Sequence, residues 1–592
     1  MIEPRIYRAA FLPALVCVVL VMFSLESLPP GLPQGLAADV VFDGDQAGTT
    51  TRAILDAGED RRAGTVGDRA AAALVAGGFE QRGFSVRVDR FEHGGKELVN
   101  VIGRRAGKSR RQIVVVAARD ARGVPDAAGS AADTAAIVEI GRVFEGRPSD
   151  KTLVLASLDG SRLGEVGTAR LASQLDDPEL VDGVIVLSGL GLGGRGPASL
   201  QPWSNDTLRA GIGLQRTVAA SLREEQGGGA RRASPAGQLA RLAFPVGVGP
   251  QGVLLDAGYD AVRIAGDGEL PDPGDSTIER LDEDRLEELG RAALRSLTAL
   301  DAGPRPERGP GTYVTAVSQM MPGWVLALLS LTLILPALVA SVDAFARARR
   351  RREPVAAWLI WVATRVVGLI SGLALAYGLS LAGATPDPPD APVAPELYPL
   401  DVAAGAVLAV VLITIVLGSL ALRHVVVGRE PRLADPFAPG AAVAVALVLS
   451  LAVLALWLVN PYSALLLAPA LHLWLLGTLF DPPPPRRARF AMVVGGLLLP
   501  VLLVVYYLLA LSLDPLSGAW YLLLLVTGGH VSLASALIAC LLGGVLGAVI
   551  AVARARPPPA LHAVPAPPSV RGPGGLAGPG SLGGTSSALP RR

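Results

Sequence analysis

The chain has 592 residues, a formal net charge of +1 and 51% hydrophobic residues. So balanced a charge excludes a nucleic-acid binder that works through a basic face, and so apolar a chain with 5% aromatic residues is not a purely soluble globule. Its two cysteines, Cys17 and Cys540, both lie in apolar segments and provide no disulfide framework.

Residues 1–8 carry Arg5 and Arg8, and residues 9–24 are apolar. This is the pattern of a signal peptide or a signal anchor. The small-residue stretch Leu36-Ala37-Ala38 is a poor cleavage site far from the apolar run, so an uncleaved anchor is expected. The basic flank places the N-terminus on the cytoplasmic side and the following residues outside. A Pro/Gly linker closes the segment 1–40.

Residues 41–303 read as one α/β domain, long enough for a single large core. Residues 67–83 read as a helix and turn. Phe84-Ser85-Val86-Arg87-Val88 alternates like a strand, and Val99-Asn100-Val101-Ile102-Gly103 follows as another. The run Ile113 to Ala118 is a buried strand ending at Arg119-Asp120. A small-residue loop, 123–129, leads into Ser130-Ala131-Ala132-Asp133, a capping-box pattern. Ile137, Ile140 and Phe144 then share a helical face. A second apolar strand, Leu153 to Leu158, ends in Asp159-Gly160-Ser161-Arg162. Strand, helix, strand, helix at this spacing predicts a doubly wound, mainly parallel sheet with its chemistry at the carboxyl ends of the strands.

This stretch resembles the di-zinc aminopeptidase family. Val138-Glu139-Ile140-Gly141-Arg142 matches the family's Glu-Leu-Ala-Arg helix, and Asp159-Gly160 with Gly164-Glu165-Val166-Gly167-Thr168 matches its second turn. The resemblance implies zinc ligands at Ala118, Gly129, Arg162 and Ser188, a catalytic base at Ser161, and a last His ligand in the loop 270–277. None of those residues is a good zinc ligand, and the loop has no His. Only Asp120 keeps the family identity. No metal and no catalytic residue is therefore assigned. Arg119, Asp120, Asp159 and Arg162 remain as binding candidates in the retained cleft. The expectation is that Arg162 pairs with Asp120, a protein cation standing where the metal would be. Asp133 is expected to cap its helix, Asp159 to stabilise its turn, and Asp282 to cap the closing helix. His93, the single histidine of the domain, is expected in a solvated turn.

After a linker, 304–321, the membrane domain occupies 322–556. Spans are expected at 322–342, 356–382, 402–422, 437–459, 462–480, 490–512 and about 531–553, each near the length a bilayer needs. With the anchor they make eight. Arginines cluster after the second, fourth, sixth and eighth spans, while the alternate loops, including 383–400, hold no Lys or Arg. This places both termini in the cytoplasm and 41–303 outside the cell membrane. Residues 519–529 are too short to span. Arg365 and His472 are the polar candidates within the spans. Residues 557–592 are expected to be disordered.

Three functions compete. The first is a non-catalytic domain that binds a peptide or envelope component or regulates a partner. The second is a metallopeptidase with an altered metal site. The third is a transporter with an exterior capture domain.

Overall fold

The computed structural model describes residues 3–33 and 41–555, apart from 195, 229–232, 267, 269, 271–273, 275, 430–432, 434 and 481. The expected disorder of 557–592 and the weak cleavage stretch lie outside the described residues.

The α/β domain is built on a seven-stranded sheet: β1 (Ser85–His93), β2 (Lys96–Arg105), β3 (Gln112–Ala118), β4 (Thr152–Leu158), β5 (Val181–Ser188), β6 (Ser199–Gln201) and β7 (Ala261–Ala265), in the order β1-β2-β4-β3-β5-β7-β6. The inner strands β4, β3, β5 and β7 are parallel, as continuous apolar runs demand. The outer strands are antiparallel, so the sheet is mixed rather than mainly parallel. β1 and β2 form a hairpin across Gly94-Gly95, both at positive φ.

β3 steps to β4 on one side, and β4 then crosses back beyond β3 to β5. Right-handed crossovers place the connecting helices, Ala132–Val143 and Val166–Ala172, on opposite faces. The carboxyl ends of β3 and β4 thus open at a reversal of strand order, where open α/β sheets form their crevice. Ile113, Val114, Val115 and Val116 are buried in one core with Leu153, Val154, Leu155 and the face of the closing helix Glu283–Ala302. Asp282 caps that helix as expected, accepting from the Arg285 amide at 2.9 Å.

The capping-box expectation at Ser130 fails. The helix Ala132–Val143 has no side-chain cap. Asp133 instead accepts from the Gly189 and Leu190 amides, at 2.8 and 2.9 Å, and pins the end of β5. The Ser130 hydroxyl accepts from Arg61 at 3.0 Å. The fully buried Arg61 guanidinium also reaches the Pro125 and Asp126 carbonyls, so tertiary donors and acceptors have replaced the local cap.

Among the described residues, eight helices are long and apolar enough to cross a membrane: Pro4–Phe23, Gly323–Arg350, Val355–Leu381, Val402–Val425, Pro439–Val459, Pro461–Leu479, Arg486–Ala510 and Leu533–Arg554. They fit a multi-pass membrane protein. The short apolar helix Pro515–Thr527 lies between the last two and ends at Gly528-Gly529. The linker before the second span is not featureless. Tyr313–Ala316 and Gln319–Pro322 form a hairpin that pairs with Glu26–Ser27 after the first span. Tyr313 is buried, its hydroxyl donating to the Ala210 carbonyl at 2.7 Å.

The α/β domain rests on one end of the helical bundle. Asn460, in the turn between the fifth and sixth spans, donates to the Leu242 and Ala243 carbonyls at 2.9 and 3.2 Å. The Tyr507 hydroxyl donates to the Phe244 carbonyl. The loop 383–401, between the third and fourth spans, reaches the domain as well.

Candidate functional site

The site lies at the carboxyl ends of β3 and β4. Gly160, at φ +82°, lets the chain leave β4 in a tight turn, and this turn aims the Ser161 amide back at β3. Asp120 is fully buried there. Its carboxylate oxygens accept from the Ser161 amide at 3.0 and 2.9 Å and from the Ser161 hydroxyl at 3.0 Å. Burial, helped by the charge of Asp68, raises its carboxyl above the ordinary range.

Arg162 does not pair with Asp120, contrary to expectation. The turn that brings Ser161 to Asp120 directs the next side chain outward, where half-buried Arg162 lines a cavity. The buried cation of the site is Arg119. It forms a two-pronged pair with Asp68, at 2.9 and 2.6 Å, and donates to the Val99 carbonyl at 2.6 Å. Asp159 stands 3.9 Å from it. The Asp159 side chain does not bond its own turn, contrary to expectation: Oδ2 accepts from the Val99 amide at 3.0 Å and so ties β4 to β2, while Oδ1 is buried without a hydrogen bond. Burial and the Asp68 charge raise its carboxyl too.

The residues present do not fit a zinc pair. Ala118 offers no side-chain donor. At Gly129 a side chain would start inside the Asp126 carboxylate, which fills that space and accepts from the Ser130 and Arg122 amides, each at 3.2 Å. The Ser188 hydroxyl accepts from the buried Arg263 guanidinium at 3.4 Å. Arg162 brings a fixed positive charge. Among the described residues, no group of three His, Cys, Asp or Glu side chains could hold a metal ion.

A carboxyl that the sequence does not single out completes the site. Glu165 is buried and adopts a left-handed backbone, φ +60°. Its Oε2 accepts from the Thr168 hydroxyl at 3.1 Å. Burial pushes its carboxyl up to about 7. With Arg122, Ser161 and Arg162 it lines a cavity of about 160 Å³. Asp68 is equally hidden in the sequence, because an Asp in the first turn of a Thr-capped helix reads as an ordinary helix start.

The far wall of this cavity comes from the membrane domain. Pro392, Val393, Ala394, Glu396 and Leu397 close it. Gly164, at φ +91°, lies so close to the loop that a Cβ would overlap the Asp390 amide nitrogen. On the loop's other side the Tyr521 hydroxyl donates to the Val393 carbonyl at 2.8 Å. His93 is not simply solvated. It faces this loop, with Nδ1 3.9 Å from the Asp390 carboxylate.

The two polar candidates inside the spans are separate from this cleft. His472 bonds the Tyr7 hydroxyl at 2.8 Å and the Leu333 carbonyl at 2.9 Å, and Phe11 packs on its ring. It anchors the N-terminal segment beside the turn that Pro336 interrupts. Arg365 lies over the Trp361 ring, 4.5 Å from its centroid.

No protein-family model and no curated protein matches the chain. Solved structures similar to it include a glutaminyl cyclase from an Acidobacteriales bacterium, at 17% identity and TM-score 0.36, covering 46% of this chain and 99% of that one. A zinc aminopeptidase from Bacillus subtilis matches at 13% identity and TM-score 0.33, over 44% of this chain and 95% of that one. A leucine aminopeptidase precursor from Bacteroides thetaiotaomicron matches at 15% identity and TM-score 0.36, over 46% and 99%.

Proposed function

We propose that this chain is a multi-pass membrane protein whose exterior, aminopeptidase-like domain binds a peptide or envelope component without two-zinc hydrolysis and signals its occupancy to the spans. The observation that carries this reading is the closure of the cleft by the loop 383–401. That loop connects two spans and is clamped between Gly164 on the domain and Tyr521 on the bundle. A ligand that enters the cavity must displace the loop or press on it, and either movement acts on the ends of the third and fourth spans. The donor set supports the non-catalytic part, since a metal-bound water and a carboxylate base have no residues to hold them where the family resemblance would put them. The exterior position is supported by the loops that meet the domain. The turn at Asn460 and the loop 383–401 hold no Lys or Arg, whereas the arginine clusters lie at the opposite span ends.

A second reading has its own observation. Glu165 is a cavity carboxyl that burial pushes up to about 7, where it can give or take a proton near neutral pH as a general acid or base does. Peptide hydrolysis by the full-length chain, assayed with aminoacyl anilides with and without added zinc, separates the two. The binding reading expects no turnover above buffer under either condition. Turnover that vanishes in the Glu165→Gln variant would replace it with the enzyme reading.

A further inference from the structure

Among the described residues, Arg365 has no acidic partner. Its Nε is buried without a hydrogen bond, and among the described residues the charge that acts on it is that of Arg423, another cation. An uncompensated guanidinium inside a helical bundle is costly, and such groups mark sites where an anion binds. Its depth shows which anion is within reach. Gly368 on the third span packs against Ser419 and Ile415 on the fourth, which runs antiparallel to it. Arg365, one turn nearer the arginine-rich end, is therefore level with Arg423, where the apolar run of the fourth span stops. Trp358 and Trp361, toward the same end, stand edge to face at 5.4 Å and are buried within the bundle.

The Trp361 ring covers one side of the guanidinium. Gly547 of the eighth span adjoins the same side chain: a Cβ there would stand 3.8 Å from Arg365 Nη1. Arg423 is exposed on the fourth span. Two guanidiniums at this depth, with no carboxylate among the described residues acting on half-buried Arg365, match a phosphate oxygen cluster in charge.

We propose that Arg365 and Arg423, in the crevice between the third, fourth and eighth spans, form a binding site for the phosphate of an anionic phospholipid from the leaflet on the arginine-rich side. Native mass spectrometry of the full-length chain, released from bilayers of phosphatidylcholine with a minor share of phosphatidylglycerol, tests it. The wild type should retain one phosphatidylglycerol. Arg365→Gln and Arg423→Gln should each cut retention about tenfold, the loss expected when one charge-assisted hydrogen bond is removed. Arg350→Gln, at the exposed last residue of the second span, should leave retention unchanged. If Arg365→Gln does not fold, Arg423→Gln alone decides the outcome, because its side chain is exposed. Unchanged retention in both site variants, or an equal loss in Arg350→Gln, would overturn the proposal. Displacement of the lipid by millimolar inorganic phosphate would also overturn it, by showing a free-anion site instead.

Discussion

Replacing Asp68 with Asn tests the electrostatic core of the cleft. Asp68 and Arg119 are both fully buried, and their two hydrogen bonds of 2.9 and 2.6 Å hold the guanidinium under β2 and β4. Removing one partner of such a pair costs about 3–5 kcal/mol, because the remaining charge is left desolvated. Here Asp159 stands 3.9 Å from Arg119, and part of what keeps its carboxyl protonated is the Asp68 charge. Once that charge is gone, Asp159 ionises more readily and takes over part of the pairing. The expected loss therefore falls at the low end, about 3 kcal/mol. It should also be larger in acid, where Asp159 is protonated, than at neutral pH. The assay is pulse proteolysis of the full-length chain in urea, read by cleavage within 41–303. A companion variant, Asp68→Leu with Arg119→Met, should recover most of the loss, since apolar residues of similar size need no pairing. A loss below about 0.5 kcal/mol in Asp68→Asn, or a double variant less stable than the single one, would refute the reasoning.

Three further outcomes follow from the same geometry. Glu165 keeps its proton in the fold to about pH 7, whereas the unfolded chain ionises near 4.5. The stability it favours is thus whole below about pH 4.5 and falls by about 3 kcal/mol as the pH rises to 7; Glu165→Gln should flatten that slope in urea titrations at stepped pH. Gly164→Ala combines a positive φ with an overlap onto Asp390, so it should cost about 1–3 kcal/mol and make residues 384–397 faster to cleave by protease. The paired variant His93→Cys, Asp390→Cys should be joined by a short bis-maleimide in the intact chain, because those side chains lie 3.9 Å apart. Absence of that cross-link would mean the loop is not seated on the domain.

The spans and the parallel core are legible in the sequence because each rests on a local signal. A run of about twenty apolar residues can bury its backbone in a bilayer only as a helix, and continuous Val and Ile runs such as 113–116 fit a strand covered on both faces. The antiparallel rim is less legible: β6 has three residues, too few for a period. Within the cleft, Asp120 and Arg119 stand out because they end a strand, but the sequence does not reveal their partners. The choice of Asp68 over Asp120 as the partner of an arginine depends on a helix 51 residues earlier in the chain. Glu165 reads as part of a turn, since nothing local tells that its backbone turns left-handed and points the carboxyl inward. The loop 383–401, acidic and rich in Pro, has the composition of a solvated connection. Its seat on Gly164 is a contact across more than two hundred residues, and no period or motif encodes that.

The described residues at the ends of β3 and β4 do not fit a zinc pair, and the chain's own loop closes the cavity beside them. The most direct measurement is the metal content of the full-length protein after loading with zinc and removal of the excess. The expected result is less than about a tenth of an equivalent bound, since a zinc site needs about four N, O or S donors that this cleft does not bring together. One or two equivalents, retained by an intact fold, would mean that the cleft does bring such donors together.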